Sequence, residues 1–394
     1  MNNNKVALPA FYTIVTLFTG LDMAIVIAMV WFGLQATGST FLVGATLCIA
    51  TVVPYALEQY LGRFFTVGLS MKRLVYIRLA VFVAILGLSF TQAALMPVGF
   101  LGIAFLVGVT DYFTISTLES QNTKLVLAGR INSDTSARLM QTSIQIGAFG
   151  GAMLGGVIVD VFPLNQTLQI IAVAAIAALG AIALVGGIPA EVSAEPLPGS
   201  SPAPAVSLGS QLYLLIVVLS LIGFHIGAFN SLVPIVFQKL NGWHATLFGT
   251  ASGLAGLGAF CAAVLPRVRL GSYAAVALIV VADVVIVYFA SPWAVLTAAC
   301  VLGFCINSLR IQLRRQLIEA APDAHAADLI AARSSLYYLL VSGAAPMLLT
   351  LFTTHAMLGF EGARALMVAA ALLLGSAVLL RTRWPAPRAA VAAK

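Results

Sequence analysis

The chain has 394 residues, of which 61% are hydrophobic and 8% are charged, and its mean hydropathy is +1.04. Soluble domains carry roughly 25% charged residues, so water cannot solvate a surface this poor in charge. The composition excludes a soluble enzyme, a nucleic-acid-binding protein and a disordered chain, and it predicts an all-α integral membrane protein. The net charge of +7 is therefore expected to orient the chain in a membrane and not to bind nucleic acid.

Twelve apolar segments are long enough to cross a bilayer, since a spanning helix needs roughly 20 mostly apolar residues. We expect the amino terminus to enter the first of them directly, without a removable signal peptide. The first half gives spans at residues 11–34, 40–59, 75–93, 97–118, 138–161 and 167–187. The second half gives spans at residues 211–238, 245–264, 272–290, 293–315, 333–353 and 362–380.

The distribution of basic residues predicts the orientation of these spans. Twelve crossings put both termini on one side of the membrane. If that side is the cytoplasm, all but Lys239 and Arg364 of the 20 Lys and Arg residues lie in cytoplasmic segments or at span ends that face them. Enrichment of Lys and Arg on the cytoplasmic side is the usual orientation signal. We therefore expect a multi-pass protein of a bacterial inner membrane with both termini in the cytoplasm.

Residues 188–210 divide the spans into two sets of six. This segment contains five of the 16 prolines and no Lys or Arg, so it predicts a flexible cytoplasmic linker. It separates an amino-terminal six-helix bundle over residues 1–187 from a carboxy-terminal six-helix bundle over residues 211–380. Residues 381–394 are predicted to form a cytoplasmic tail, and the whole chain is expected to be a monomer.

An internal repeat supports this division. Residues 108–151 and 303–346 align without a gap, and each comprises the fourth span of its half, a basic polar loop and the fifth span. Arg138 aligns with Arg333, and each is predicted to open a fifth helix. The two halves are therefore expected to have one architecture.

The fifth span carries the pattern Gly147-x3-Gly151-Ala152-x2-Gly155-Gly156. Glycines at this spacing let two helix backbones approach closely, so a helix-packing seam is one interpretation. The pattern also resembles the G-x3-G-P-x2-G-G motif on the fifth helix of the major facilitator superfamily, with Ala152 in place of the proline. The resemblance implies the major facilitator fold, which has twelve helices in two six-helix bundles. It also implies a transporter of the exporter or antiporter type.

The loop after the second span, LGRFFTVGLSMKRL, partly resembles the Gly-x-x-x-Asp-Arg-x-x-Arg-Arg-like run of that superfamily. Gly62 and the pair Lys72 and Arg73 match approximately, whereas Thr66 stands at the position of the acidic residue. Glu58, one turn earlier, can substitute for that residue, and it is a candidate for proton coupling.

Two carboxylates are the main candidates for proton coupling, because an ionisable group in a bilayer is costly unless it faces a cavity or a partner. The resemblance implies that the first, fourth, seventh and tenth helices line a central cavity. Asp22 lies about eleven residues into the first span, roughly 16 Å along the helix and near the bilayer midplane. An unpaired carboxylate there can exchange a proton, while the alternative is a structural carboxylate bound to a neighbouring helix. Asp111 on the fourth span is either a second proton carrier or the partner of a cavity arginine.

Arg310 on the tenth span is the main candidate for substrate binding and is expected to be the deepest basic residue. A permanently charged guanidinium needs a carboxylate, which either an internal acid or the substrate supplies. We therefore predict an anionic or zwitterionic substrate, with a siderophore-like carboxylate as the favoured example. His225 can handle protons or substrate, or it can be a packing residue. The remaining candidates for the substrate site are Asn307, Asn230 and Tyr112.

Two further carboxylates are expected to have structural roles. Asp160, at the end of the fifth span, is expected to cap or tether that end. Asp283, on the peripheral ninth span, is expected to make an interhelical hydrogen bond. The four cysteines lie in apolar runs, which supports neither a disulfide framework nor a metal site.

The leading hypothesis is a proton-coupled secondary exporter whose partners are a small-molecule substrate, protons and membrane lipids. No nucleotide-binding loop, HExxH motif or Ser-His-Asp constellation is present, so catalysis, ATP drive and a cofactor lack support. The alternatives are multidrug efflux of amphiphilic compounds, proton-driven uptake by a symporter and a lipid-handling membrane protein.

Overall fold

The computed structural model describes residues 3–61, 70–127, 129–184, 210–265, 270–319, 324–354 and 356–383. Several sequence-based predictions lie outside these residues. They concern the linker up to residue 209, Gly62 and Thr66 in the loop after the second span, the side chain of Glu58, and the tail beyond residue 383.

The described residues form twelve α-helices, one for each predicted span. Their bounds are α1 Asn3–Thr37, α2 Thr40–Leu61, α3 Met71–Ser89, α4 Pro97–Leu127, α5 Ser133–Val161, α6 Leu164–Leu184, α7 Ser210–Ile235, α8 Ala245–Val264, α9 Ser272–Tyr288, α10 Pro292–Glu319, α11 Ala324–Phe352 and α12 Gly362–Arg383. A 3-10 turn, Gln92–Leu95, precedes α4, and a π-helical turn, Val236–Leu240, extends α7.

Most of these helices suit a bilayer by length and composition. Within the described ranges, nine helices are long and apolar enough to cross a membrane, and α9 and part of α11 are shorter apolar helices. The exception is α3, which carries the three basic residues Lys72, Arg73 and Arg78. Several helices are longer than the predicted spans because polar residues continue them past the apolar segment. For example, α5 begins five residues before Arg138, where the side chain of Asn132 accepts a hydrogen bond from the Thr135 amide and caps the helix.

The two halves of the chain pack in the same way. In the first half α1 packs on α5, α2 on α4 and α3 on α6, and in the second half α7 packs on α11, α8 on α10 and α9 on α12. The helices therefore form two similar six-helix bundles. The bundles meet along two seams, one between α2 and α11 and the other between α5 and α8.

Both seams are closed at the same end of the molecule. The turns that join α1 to α2, α5 to α6, α7 to α8 and α11 to α12 lie at this end, which we call the sealed end. Here the Thr40 hydroxyl donates to the Thr350 carbonyl across the α2–α11 seam at 3.1 Å. The Gln238 amide donates to the Trp31 carbonyl at 3.1 Å, which ties the π-helical turn to α1. The bundles are therefore joined by polar contacts at the sealed end.

The glycine pattern on α5 is a packing seam with two sides. An added Cβ atom at Gly155 would lie 2.8 Å from Ala24 Cα on α1, and one at Gly156 would lie 2.7 Å from the Ala245 carbonyl oxygen on α8. Gly147 and Gly151 also face the backbone of α1. Because neither neighbouring backbone leaves room for a side chain, α5 requires glycine where it touches α1 and α8.

Candidate functional site

A buried ion pair joins α1 to α3 in the amino-terminal bundle. The Arg78 guanidinium donates two hydrogen bonds to the Asp22 carboxylate, from Nη2 to Oδ1 at 2.7 Å and from Nη1 to Oδ2 at 3.0 Å. The Arg78 side chain is fully buried, and that of Asp22 is 15% exposed. A bidentate pair of this kind is both stronger and more directional than a contact between point charges.

Further contacts fix the orientation of the Arg78 guanidinium. Its Nη1 also donates to the Thr114 hydroxyl on α4 at 2.7 Å, and its Nη2 lies 3.4 Å from the Phe18 carbonyl. The Phe18 ring lies under the guanidinium with its centroid 4.1 Å from Cζ, a cation–π contact. Arg78 therefore ties α1, α3 and α4 together in the interior of the bundle.

Asp111 on α4 completes this polar cluster. Its side chain lies next to that of Asp22. Two adjacent carboxylates repel each other, so such a pair is a common place for a shared proton. The cluster therefore combines two acids, Asp22 and Asp111, with the single guanidinium of Arg78.

The cluster corrects two expectations from the sequence. Asp22 is not unpaired, because Arg78 binds both of its oxygens; the contact matches the alternative of a carboxylate bound to a neighbouring helix. Arg310 was expected to be the main interior arginine, but Arg78 is fully buried whereas Arg310 is half-buried. The signal for Arg78 was its place in the apolar run VYIRLAVFVA, well past Lys72 and Arg73, which distinguishes it from basic residues that snorkel to an interface.

The carboxy-terminal bundle contains a second buried acid–base pair. His225 Nε2 on α7 lies 2.6 Å from Asp283 Oδ2 on α9, and the two side chains are 1% and 0% exposed. The interhelical hydrogen bond expected of Asp283 is confirmed, and its partner is His225. A role of His225 in handling protons or substrate stays a prediction.

The residues proposed for substrate binding are not brought together by direct contacts. On α10, the Asn307 side-chain amide donates to the Ala259 carbonyl on α8 at 2.6 Å, so this donor is already used. Arg310 is half-buried, and its guanidinium lies over the Tyr338 ring of α11 with 5.1 Å between Cζ and the centroid. Asn230 on α7 and Tyr112 on α4 are also half-buried.

Unlike the guanidinium of Arg78, that of Arg310 is not paired with a carboxylate among the described residues. Its Nε is buried without a hydrogen-bond partner, and no residue in the described part of the chain forms an ion pair or hydrogen bond with its guanidinium. Of the two interior arginines, one is neutralised by an internal acid and the other stacks on an aromatic ring. Arg78 and its acidic partners are therefore candidates for a structural or proton-handling role, whereas Arg310 is a candidate for binding an anion.

The paired basic residues of the repeat lie in different surroundings. Arg333 donates from Nη1 to the Tyr213 hydroxyl on α7 at 2.7 Å, which ties α11 to α7. Arg138 is exposed on the second turn of α5. Arg333 lies nine residues after the first residue of α11, so neither arginine opens its helix as the alignment predicted. Among the described residues, no group of three or more His, Cys, Asp or Glu side chains could hold a metal ion.

Solved structures with a similar fold align with nearly the whole chain. A variant of the nucleoside transporter NupG aligns with a TM-score of 0.70 at 12% identity, covering 95% of this chain and 99% of that one. A bacterial homologue of the iron transporter ferroportin, in an inward-facing state, aligns with a TM-score of 0.66 at 14% identity over 98% of this chain and 100% of that one. A bacterial homologue of the lysosomal transporter Spinster, inward-facing and unoccupied, aligns with a TM-score of 0.64 at 12% identity over 97% and 98%.

No protein-family model matches the sequence, and no curated protein matches it either. At 12–14% identity the similarity to solved structures establishes the fold. The chain is an all-α, multi-pass membrane protein with the major facilitator fold, as the resemblance in the fifth span implied.

Proposed function

We propose that this protein is a proton-coupled secondary exporter that moves a small anionic or zwitterionic metabolite by alternating access. The two similar bundles and the seams between them support a mechanism in which the bundles rock about a central site. The described conformation is closed at the sealed end. With both termini in the cytoplasm, this end faces outward.

Proton coupling rests on the cluster of Asp22, Arg78 and Asp111. The fixed positive charge of Arg78 favours one ionised carboxylate, and the second acid can bind or release a proton. The Asp22 side chain is 15% exposed, so the bundle does not enclose it completely. Loss of the proton leaves two carboxylates beside one guanidinium. The resulting repulsion between α1 and α4 favours a different packing of the bundle, so the packing depends on protonation.

The substrate class is proposed from the Arg310 guanidinium, which has no carboxylate partner among the described residues. An internal acid was one possible counter-ion of Arg310, but the Asp22 carboxylate is bound to Arg78. A substrate carboxylate can supply that counter-ion and can bind the guanidinium through two parallel hydrogen bonds. A carboxylate-rich, siderophore-like metabolite is the favoured substrate. Export is proposed from the glycine pattern on α5, which resembles that of exporters.

A binding assay on purified protein tests the substrate class. Probes are a citrate-type hydroxycarboxylate siderophore and the lipophilic cation tetraphenylphosphonium, with affinity measured by microscale thermophoresis. Arg310→Lys keeps the charge but loses the fork, so we expect about tenfold weaker siderophore binding, corresponding to about 1.4 kcal/mol. Arg310→Ala should weaken binding further, while the exposed Arg315→Ala serves as the control. Binding of the cation alone, unchanged in Arg310→Ala, would instead identify a multidrug transporter.

A transport assay tests the coupling. In proteoliposomes, Asp22→Asn should abolish substrate accumulation driven by a pH gradient yet retain substrate counterflow, because an amide cannot exchange a proton. Asp111→Asn tests the second acid in the same way. Full gradient-driven accumulation in both variants would show that the cluster does not carry the coupled proton.

A further inference from the structure

The first turn of α8 has no cap from its own chain segment. His244 occupies the N-cap position with an extended backbone, at φ −85° and ψ 156°, and its side chain makes no capping hydrogen bond. The first backbone N–H groups of a helix have no partner within the helix and need an acceptor from elsewhere. Residues that cap well, such as Ser, Asp or Asn, are absent from this position.

The missing acceptor comes from the other bundle. Asp160, next to the last residue of α5, accepts from the Ala245 amide through Oδ1 at 2.8 Å and from the Thr246 amide through Oδ2 at 2.7 Å. Gly156 lies one turn earlier on the same helical face and touches α8 at Ala245. The absence of a side chain at Gly156 thus lets α5 come close enough for Asp160 to reach the end of α8.

The rest of the sealed end is joined mainly by neutral groups. Trp31 on α1 stacks against Phe248 on α8, with ring centroids 6.2 Å apart, and its carbonyl accepts a hydrogen bond from Gln238. Phe237 packs edge-on against Phe248 at 6.4 Å. Beside this aromatic group, the carboxylate of Asp160 adds a charge that interacts with the positive end of the α8 dipole.

We propose that the contact between Asp160 and the first turn of α8 is a conformational latch that holds the sealed end shut. The two hydrogen bonds exist only while α5 and α8 are in contact. When the bundles part, water replaces the protein partner on both sides, and the charge leaves the helix end. The contact therefore stabilises the closed state relative to the open state, which is the condition for shifting a two-state equilibrium.

A cap supplied from within α8 distinguishes a latch from a contact that merely stabilises the helix. His244→Ser places a capping hydroxyl at the first turn, where it accepts from the Thr246 or the Leu247 amide in both the open and the closed state. The variant should make α8 more stable while reducing the advantage of the closed state. If Asp160 only stabilises α8, the same substitution should leave the conformational equilibrium unchanged.

The experiment measures the width of the sealed end by pulsed electron spin resonance. Spin labels are attached at positions 98 and 293, because Val98 and Trp293 are 77% and 80% exposed at this end of the two bundles. The protein is reconstituted in nanodiscs without substrate, in a background lacking the four native cysteines. Glu361→Gln is the matched control, since Glu361 is an exposed carboxylate at the same end that pairs within its own bundle, with Arg364.

Asp160→Ala should raise the ratio of long to short label distances by roughly threefold to tenfold, as expected for one charge and two hydrogen bonds at a partly solvated helix end. Asp160→Asn keeps an acceptor but loses the charge, so its shift should be intermediate. His244→Ser should shift the ratio in the same direction, and it should add little to Asp160→Ala because the latch is already absent. The Glu361→Gln control should match the wild type.

A ratio in Asp160→Ala equal to that of Glu361→Gln would overturn the latch. So would a shift of His244→Ser toward the closed state, or full additivity of the two substitutions. The latch depends only on the two-bundle fold and not on the substrate or the coupled proton. These label distances therefore stand even if Arg310 or Asp22 proves to have another role.

Discussion

Removing Arg78 tests how strongly the interior charges of the amino-terminal bundle depend on one another. Arg78→Ala deletes a fully buried guanidinium that donates to both oxygens of Asp22 and to the Thr114 hydroxyl. The substitution leaves the Asp22 carboxylate in a largely buried site without these donors and beside Asp111. The cluster then holds two acids and no cation.

The expected loss of stability follows from the burial of the pair. Breaking a buried ion pair by removing one partner lowers the free energy of unfolding by about 3–5 kcal/mol. For a unit of 150–250 residues, about 1 kcal/mol corresponds to roughly 2–4 °C in melting temperature. We therefore expect Arg78→Ala to melt at least about 6 °C below the wild type. Arg78→Gln with Asp22→Asn removes both charges and should recover most of that loss.

Thermal unfolding in detergent, followed with a thiol-reactive dye, measures these differences. The four cysteines are buried or half-buried, so their exposure reports loss of helix packing. Arg73→Ala is the matched control, because Arg73 is an exposed arginine one turn before Arg78 on the same helix. A melting temperature for Arg78→Ala equal to that of Arg73→Ala would refute the reasoning. A double variant less stable than Arg78→Ala would show that the two charges do not act as a pair.

Three further outcomes are expected. Gly151→Ala should destabilise the protein by about 1–3 kcal/mol in thermal unfolding, since its Cβ would lie 2.6 Å from Gly20 Cα. In the control Gly150→Ala, the added Cβ meets nothing within 4 Å, so this substitution should be neutral or slightly stabilising. His225→Leu should destabilise the protein by about 3–5 kcal/mol, because it leaves Asp283 without its partner. The double variant with His225→Leu and Asp283→Leu should recover most of that loss. Equal melting temperatures of the single and the double variant would contradict the pairing. A cysteine at Ser200 should react with an impermeant maleimide in inside-out vesicles; reaction only in right-side-out vesicles would reverse the predicted orientation.

The sequence by itself determined the class of protein and the number of helices. A bilayer requires each span to be apolar over about 20 residues, and this property is local in the chain. Composition and hydropathy therefore predicted twelve helices in two sets of six. The glycine pattern also identified a packing seam on α5, because close contact between helices requires small residues at fixed spacing. Helix ends were less predictable, since polar turns such as the one that begins with Asn132 extend the helices beyond their apolar spans.

The sequence also identified which ionisable residues matter, without their partners. Asp22, Asp111, His225 and Asp283 were recognised as unusual because charge in an apolar segment is costly. Arg78 was only counted among the basic residues at the cytoplasmic ends of the spans, where long basic side chains usually reach water. Its partner lies 56 residues away in the chain, on a helix whose rotation about its axis is not encoded in hydropathy.

Only the tertiary structure decided how these groups pair. His225 and Asp283 are 58 residues apart, and Asp160 is 85 residues from the amide of Ala245 that it binds. Each contact depends on the depth and the facing direction of two helices at once, and both are set by how all neighbouring helices pack. Hydropathy records whether a residue is in the membrane, but not which helix it faces. For that reason only the packed bundles show which acid binds Arg78 and that Arg310 lacks such a partner among the described residues. They alone also show that α5 caps α8.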